Sequence, residues 1–174
     1  QNFINYVINR HYPKISNNKS PYLELLKLIM KKQIDLIINW TRVGFIHGVM
    51  NTDNMSISGE TIDYGPCAFI NAYNPKTVFS SIDRHGRYAF GNQHNIAYWN
   101  LAAFAGTMLP FIANDKDKAI QLVQDVLNQF PIEYSNKWHK MMYKKIGITN
   151  PIEEDKLLIR DLLTLMESYK ADYT

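Results

Sequence analysis

A mainly helical single domain carrying one small β-hairpin is the fold class that this sequence predicts, on three observations. Apolar residues recur at helical spacing through most of the chain. One stretch, MSISGETI, alternates instead, as a strand pair does. A chain of 174 residues with 46% hydrophobic content is long enough for one core and short for two.

The first clear helix opens at Ser20-Pro21, a capping residue followed by proline at the first helical position. Tyr22, Leu25, Leu26, Ile29, Leu36, Ile37 and Trp40 then form one stripe, while Glu24, Lys27, Lys31 and Asp35 fall largely opposite. Gly44 is the expected terminator. In the hairpin, Met55 and Ile57 alternate with serines, Ser58-Gly59 supplies the turn, and Thr61 and Ile62 resume the extended run. Residues 64 to 92, rich in Gly, Pro, Asn and aromatics without a period, should form an ordered loop.

From Asn95 to Ile112, the residues Ile96, Trp99, Ala103, Phe104 and Met108 mark a helix apolar over much of its surface, which suggests a central buried position, with Pro110 ending or bending it. Asp115 caps the next helix, whose stripe is Ile120, Val123, Val126, Leu127 and Phe130 before Pro131. Tyr134, Trp138, Met141 and Met142 mark another that ends near Gly147. Asn150-Pro151-Ile152-Glu153 reads as a cap, a first-turn proline and an acidic residue, opening a last helix through Leu158, Leu162, Leu165, Met166 and Tyr169.

The chemistry is concentrated in HGVMNTDNMSISGETIDYG, residues 47 to 65. A hairpin returns the chain to its starting level, so Asn54 at one mouth and Asp63 at the other face one point in space. Two hard oxygen donors suit magnesium, which takes one or two protein groups and fills its remaining positions with water and substrate phosphates. Asp53 projects differently from the loop and is the candidate general base, accepting a proton from an attacking hydroxyl. On spacing alone these residues read equally as turn formers bonded to their own backbone.

The spacing compares with the protein-kinase catalytic loop, H-R-D-x-x-x-x-N followed by a hairpin and D-F-G. His47 and Asn54 keep the kinase separation and Asp63-Tyr64-Gly65 stands in the D-F-G place. The position two after His47, where a kinase carries its base, is Val49, which accepts no proton. Asp53 is the nearest replacement.

The string HGVMNTDNMSISGETIDYGP, with SSIDRHGRYAFGNQHNIAYWNL downstream, VINRHYPKI near the start and LLTLMESYKADYT at the finish, closely resembles the selenoprotein O (YdiU) family of pseudokinases. The resemblance covers essentially the whole chain. It implies a kinase-like C-terminal lobe over residues 1–174, with Asp53 as catalytic base and Asn54 and Asp63 holding Mg2+, or Mn2+ in its place. Through the metal, Asp63 would also hold the triphosphate of ATP. It further implies protein adenylyl transfer: ATP bound in a flipped orientation, AMP passing to Ser, Thr or Tyr hydroxyls of protein substrates, and pyrophosphate leaving. No glycine-rich loop or P-loop precedes His47, and Gly44 is the first glycine. In the family the phosphate-gripping groups belong to an N-terminal lobe, and a C-terminal redox motif follows. Residues 1–174 alone are therefore expected to show no measurable transfer.

A net charge of +3 with interspersed signs points away from a nucleic-acid partner. No apolar run reaches the length of a membrane span. A single cysteine, Cys67, excludes an internal disulfide and suggests a reducing compartment, the bacterial cytoplasm or a mitochondrial matrix. Cys67 itself reads as a packed side chain. His47 reads as structural, and His11, His85, His94 and His139 lack the spacing of a zinc site. Arg84 and Arg87, in DRHGRY, either meet phosphate or a substrate protein or pair with carboxylates of the domain.

Overall fold

The computed structural model describes residues 1–174. Six α-helices and one two-stranded sheet make up the fold: α1 Asn2–His11, α2 Pro21–Arg42, β1 Phe45–Ile46, β2 Ala68–Phe69, α3 Gln93–Ile112, α4 Lys116–Leu127, α5 Phe130–Lys145 and α6 Asp155–Tyr169. No helix is long and apolar enough to cross a membrane.

α2 is the central element and packs against α1, α3, α4 and α5. Its stripe buries Leu25, Leu26, Ile29, Met30, Ile34, Ile37 and Trp40, around which one continuous core closes with Ile96, Leu101 and Met108 of α3 and Met141 and Met142 of α5. Burial of that many large side chains, each contributing roughly 1.5–3 kcal/mol, accounts for a helix of this length holding together in water. Ser20 stands at the cap position, yet its hydroxyl caps nothing. Gly44 ends the helix region as expected, at φ 72, where a Cβ would lie 3.0 Å from the Ile70 side chain.

β1 pairs antiparallel with β2, Phe45 opposite Phe69 and Ile46 opposite Ala68. Two-residue strands leave no readable alternation, so this sheet was silent in the sequence. The expected hairpin is correspondingly smaller: Met55 and Thr61 form a single antiparallel bridge, closed by a turn in which Gly59 N–H donates to Ser56 O at 3.0 Å. Residues 64 to 92 are mostly irregular, as expected, apart from β2 and a 3-10 turn at Phe90–Asn92.

Three readings of the helices change. α3 is not buried all round: Trp99 is 51% exposed and Ala103 faces solvent. Pro110 lies inside its last turn, and the helix runs on to Ile112. The last helix begins at Asp155, beyond the Asn150-Pro151 signal, because the Asp155 carboxylate accepts from Ile152 N–H at 2.8 Å and turns the chain first. Its core contact is Ile159, fully buried, whereas Leu158 and Leu165 are more than half exposed. Asp115 behaves as read, its carboxylate capping Lys118 N–H at 2.7 Å.

A second small cluster joins Ile46, Ile70, Phe90 and Tyr173 beside the sheet. An isolated bridge between Ala72 and Asp172 brings the residues after α6 back to the segment following β2.

Candidate active site

β1 delivers the chain to His47, whose ring is wholly buried against Trp40 and Phe45, with centroids 5.3 and 6.5 Å away. Nε2 lies 2.8 Å from Ile62 O. A carbonyl only accepts, so Nε2 carries the proton and Nδ1 is left to accept from Val49 N–H at 3.4 Å. His47 therefore ties the loop to the segment that carries Asp63, the structural role read from the sequence. Gly48 follows at φ 88, where a Cβ would sit 2.8 Å from Pro66 O, so only glycine fits that turn.

Three buried carboxamides hold the loop, and sequence reasoning named none of them. Gln93, at the start of α3, accepts from His47 N–H and donates to Phe45 O, both at 3.0 Å. Asn100, two turns further on, donates to Met50 O at 2.9 Å. Gln33 of α2 donates to Ser56 O at 2.5 Å. Their signal was present: polar residues placed on the buried stripes of otherwise apolar helices, seven apart in α3. Hydroxyl and indole donors add to this frame, with Tyr88 Oη donating to Asn51 Oδ1 at 2.7 Å, Tyr12 Oη to Ile57 O at 2.9 Å and Trp40 Nε1 to Thr61 Oγ1 at 2.8 Å.

On this frame Thr52–Asn54 form a 3-10 turn. Asn54 Nδ2 donates to Val49 O at 3.0 Å, which fixes the amide and leaves Oδ1 without a protein partner. Asn54 thus serves the turn with its nitrogen and keeps its oxygen available. The Met55–Thr61 bridge places Asn54 opposite Ile62, so Asp63 stands one residue past the same rung. Asp63 has φ 54, a left-handed backbone uncommon for a residue with a Cβ, and its carbonyl accepts from Gly65 N–H at 2.8 Å. The side chains of Asp53 and Asp63 are both exposed, and neither belongs to any of the four ion pairs of the chain.

No group of three His, Cys, Asp or Glu side chains gathers into a cage. A set of one amide oxygen and one carboxylate is the donor number that magnesium takes from protein when phosphates and water complete its shell, so the residues present fit the ion.

The remaining sequence candidates resolve differently. Asp83 accepts from Arg87 N–H at 2.8 Å and Tyr88 N–H at 2.7 Å, shaping the turn at Gly86. Arg87 pairs with no carboxylate and lies over the Trp99 ring at 4.9 Å, a cation–π contact instead of the pairing weighed from the sequence. Cys67 packs partly buried against the core. His94 stacks on Tyr134 at 4.6 Å, and burial pushes its pKa below the ordinary 6.5.

The fold and site thus define a helical domain that suspends a polar loop on buried amides, with two carboxylates outside any ion pair and a free amide oxygen along it. The family model for "Protein adenylyltransferase SelO" matches residues 1–174, and the chain belongs to that family. Among curated proteins it is 55% identical over 171 residues to "Protein nucleotidyltransferase YdiU" of Pelagibacter ubique, covering 98% of this chain and 35% of that relative. It is 55% identical over 169 residues to the protein of the same name from Alkaliphilus metalliredigens, and 52% identical over 169 residues to that from Bacillus mycoides. The chain spans about a third of the length of the curated relatives it matches: 35%, 34% and 35% of these three.

Proposed function

We propose that residues 1–174 form the metal-holding, kinase-like C-terminal lobe of a protein adenylyltransferase, in which AMP passes from ATP to a Ser, Thr or Tyr hydroxyl of a protein substrate. The observation that carries the proposal is the pair on either side of the Met55–Thr61 bridge: Asn54, pinned through its nitrogen with its oxygen free, and Asp63, exposed and unpaired. Asn54 and Asp63 would hold Mg2+, or Mn2+, which supplies charge neutralisation to the triphosphate.

Asp53 accepts the proton of the attacking hydroxyl. The hydroxyl oxygen bonds to the α-phosphorus, the bond from that phosphorus to the bridging oxygen breaks, and pyrophosphate leaves with the electron pair. Asp53 is suited to this by its exposure at the loop surface and by the absence of any ion pair engaging its carboxylate. Positioning carries much of the rate in such transfers, and the buried amides beneath the loop provide it. The groups that grip the phosphates are not among the site residues found here, so residues 1–174 alone are expected to transfer nothing measurable.

Phosphoryl transfer through the same metal site is the second reading. Val49, at the position of the kinase base, argues for adenylyl transfer over it. The deciding experiment supplies the full-length protein with ATP labelled at the α or the γ phosphate, beside an Asp63→Ala variant. Label from the α position alone, lost in the variant, supports adenylyl transfer; γ label makes the protein a kinase; no label favours a non-catalytic interaction lobe.

A further inference from the structure

Between residues 64 and 92 a single acidic residue, Asp83, stands against three cations, Lys76, Arg84 and Arg87. Both Asp83 oxygens are taken by main-chain donors, Oδ1 by Arg87 N–H at 2.8 Å and Oδ2 by Tyr88 N–H at 2.7 Å. That carboxylate is therefore committed to the turn. The Arg87 side chain is exposed and enters none of the four ion pairs of the chain. Two rings hold it instead, with the guanidinium carbon 4.9 Å from the centre of Trp99 and 5.7 Å from that of Tyr88. Ring faces steady a cation but bring no oxygen to its N–H fork, so Arg87 presents a placed guanidinium without an anion.

The same residues fix where that guanidinium stands. Tyr88 Oη donates to Asn51 Oδ1 at 2.7 Å, and Asn100, next to Trp99 in α3, donates to Met50 O at 2.9 Å. Arg87 thus lies beside the residues that lead into Asp53, across the Tyr88 ring from Asn51, whereas Asn54 and Asp63 follow Asp53 in the chain. In a displacement at phosphorus the attacking and leaving oxygens lie roughly in line. With Asn54 and Asp63 assigned to the triphosphate, the hydroxyl and the protein that carries it come from the side of Met50 and Asn51. The anion that a protein brings there is a carboxylate, which a guanidinium grips through two parallel N–H donors. An extended chain advances about 3.3 Å per residue, so a side chain one to three positions from the hydroxyl reaches across the Tyr88 ring.

Resting on the transferase reading above, we propose that Arg87 is a specificity residue for the protein substrate, pairing with an Asp or Glu carboxylate one to three residues from the hydroxyl that receives AMP.

The test uses the full-length protein, α-labelled ATP, and peptides that carry one tyrosine with a glutamate one, two or three positions away, each beside a glutamine twin. The best glutamate peptide should exceed its twin by about fivefold in kcat/KM, the upper end for an exposed ion pair. Arg87→Met keeps an apolar stem on Trp99 and should bring that ratio to about one, while Arg87→Glu should favour a lysine-flanked peptide over the glutamine twin, a gain that misfolding cannot produce. Equal labelling of every pair by the parent, or a glutamate preference that survives in Arg87→Met, overturns the proposal. So does a raised KM for ATP in Arg87→Met with the peptide ratio unchanged, which would put the guanidinium on the nucleotide. Fluorescence anisotropy of the same peptides separates this proposal from the reading beneath it. If the parent labels no peptide yet binds the glutamate form about fivefold more tightly than its twin, and Arg87→Met does not, the transferase reading fails and the carboxylate subsite stands; unselective binding overturns the subsite.

Discussion

Replacing His47 by leucine removes two hydrogen bonds of the loop, the short one to Ile62 O and the long one from Val49 N–H. Leucine fills most of the imidazole volume and retains contact with Trp40 and Phe45, so the main loss is the bond to Ile62 O at 2.8 Å. His47 is wholly buried, and its removal leaves that carbonyl without its donor. The cost of such an orphan is about 1–3 kcal/mol. For a chain of 174 residues, 2 kcal/mol corresponds to a fall in Tm of roughly 4–8 °C.

The effect should also reach the proposed metal site, because the peptide unit following the Ile62 carbonyl sets the left-handed φ of Asp63. Groups that orient a ligand in this way typically change metal affinity by about 10–100-fold when removed. Thermal unfolding followed by circular dichroism, beside Mn2+ titration of the full-length protein, reads both quantities. A His47→Leu protein that melts within about 1 °C of the parent would refute the reasoning, and unchanged Mn2+ affinity would cut the link to Asp63.

Three other substitutions probe separate parts of the site. Asp63→Ala and Asp63→Gly should both lose Mn2+ binding, but the glycine form should be the more stable by about 1 kcal/mol, since only alanine is strained at φ 54; equal melts would remove the strain. Asn54→Asp keeps an oxygen for the ion yet sets a carboxylate against Val49 O, so urea unfolding should show a loss of about 1–3 kcal/mol above pH 6, absent if the amide bond is immaterial. His94→Phe keeps the stack on Tyr134 and removes a group whose pKa is lowered chiefly by burial. The unfolded chain binds that proton more readily, so the parent loses stability as pH falls through about 6.5, and the variant should show a smaller drop in Tm between pH 7.5 and 5.

Much of this was legible because helices and turns write strong periodic signals. The α2 stripe, the Asp115 cap and the turn at Ser58-Gly59 all follow from local chemistry, and they fix the order of elements around residues 47 to 65. The strands at Phe45–Ile46 and Ala68–Phe69 were not legible, since two residues have no period and their pairing spans the whole loop. α6 was misjudged because Leu158, Ile159, Leu162, Leu163, Leu165 and Met166 offer apolar positions on several faces, and only packing selects Ile159. Type and spacing could offer Asn54 and Asp63 as candidate oxygen ligands and Asp53 as candidate base, and the structure adds where each sits on the loop. The amides of Gln33, Gln93 and Asn100 could not be named in this way, because a buried polar residue reveals its partner only once the fold brings a distant carbonyl to it.

Those amides decide how the loop responds to its surroundings. A loop fastened by salt bridges would loosen with ionic strength and with every titration of its clamps. Carboxamides neither titrate nor gather counter-ions, so the hold of these three on the loop under Asp53 stays set across the ordinary range of buffers. Those clamps would then add nothing of their own to the acid and alkaline limbs of a pH–rate profile or to its salt dependence.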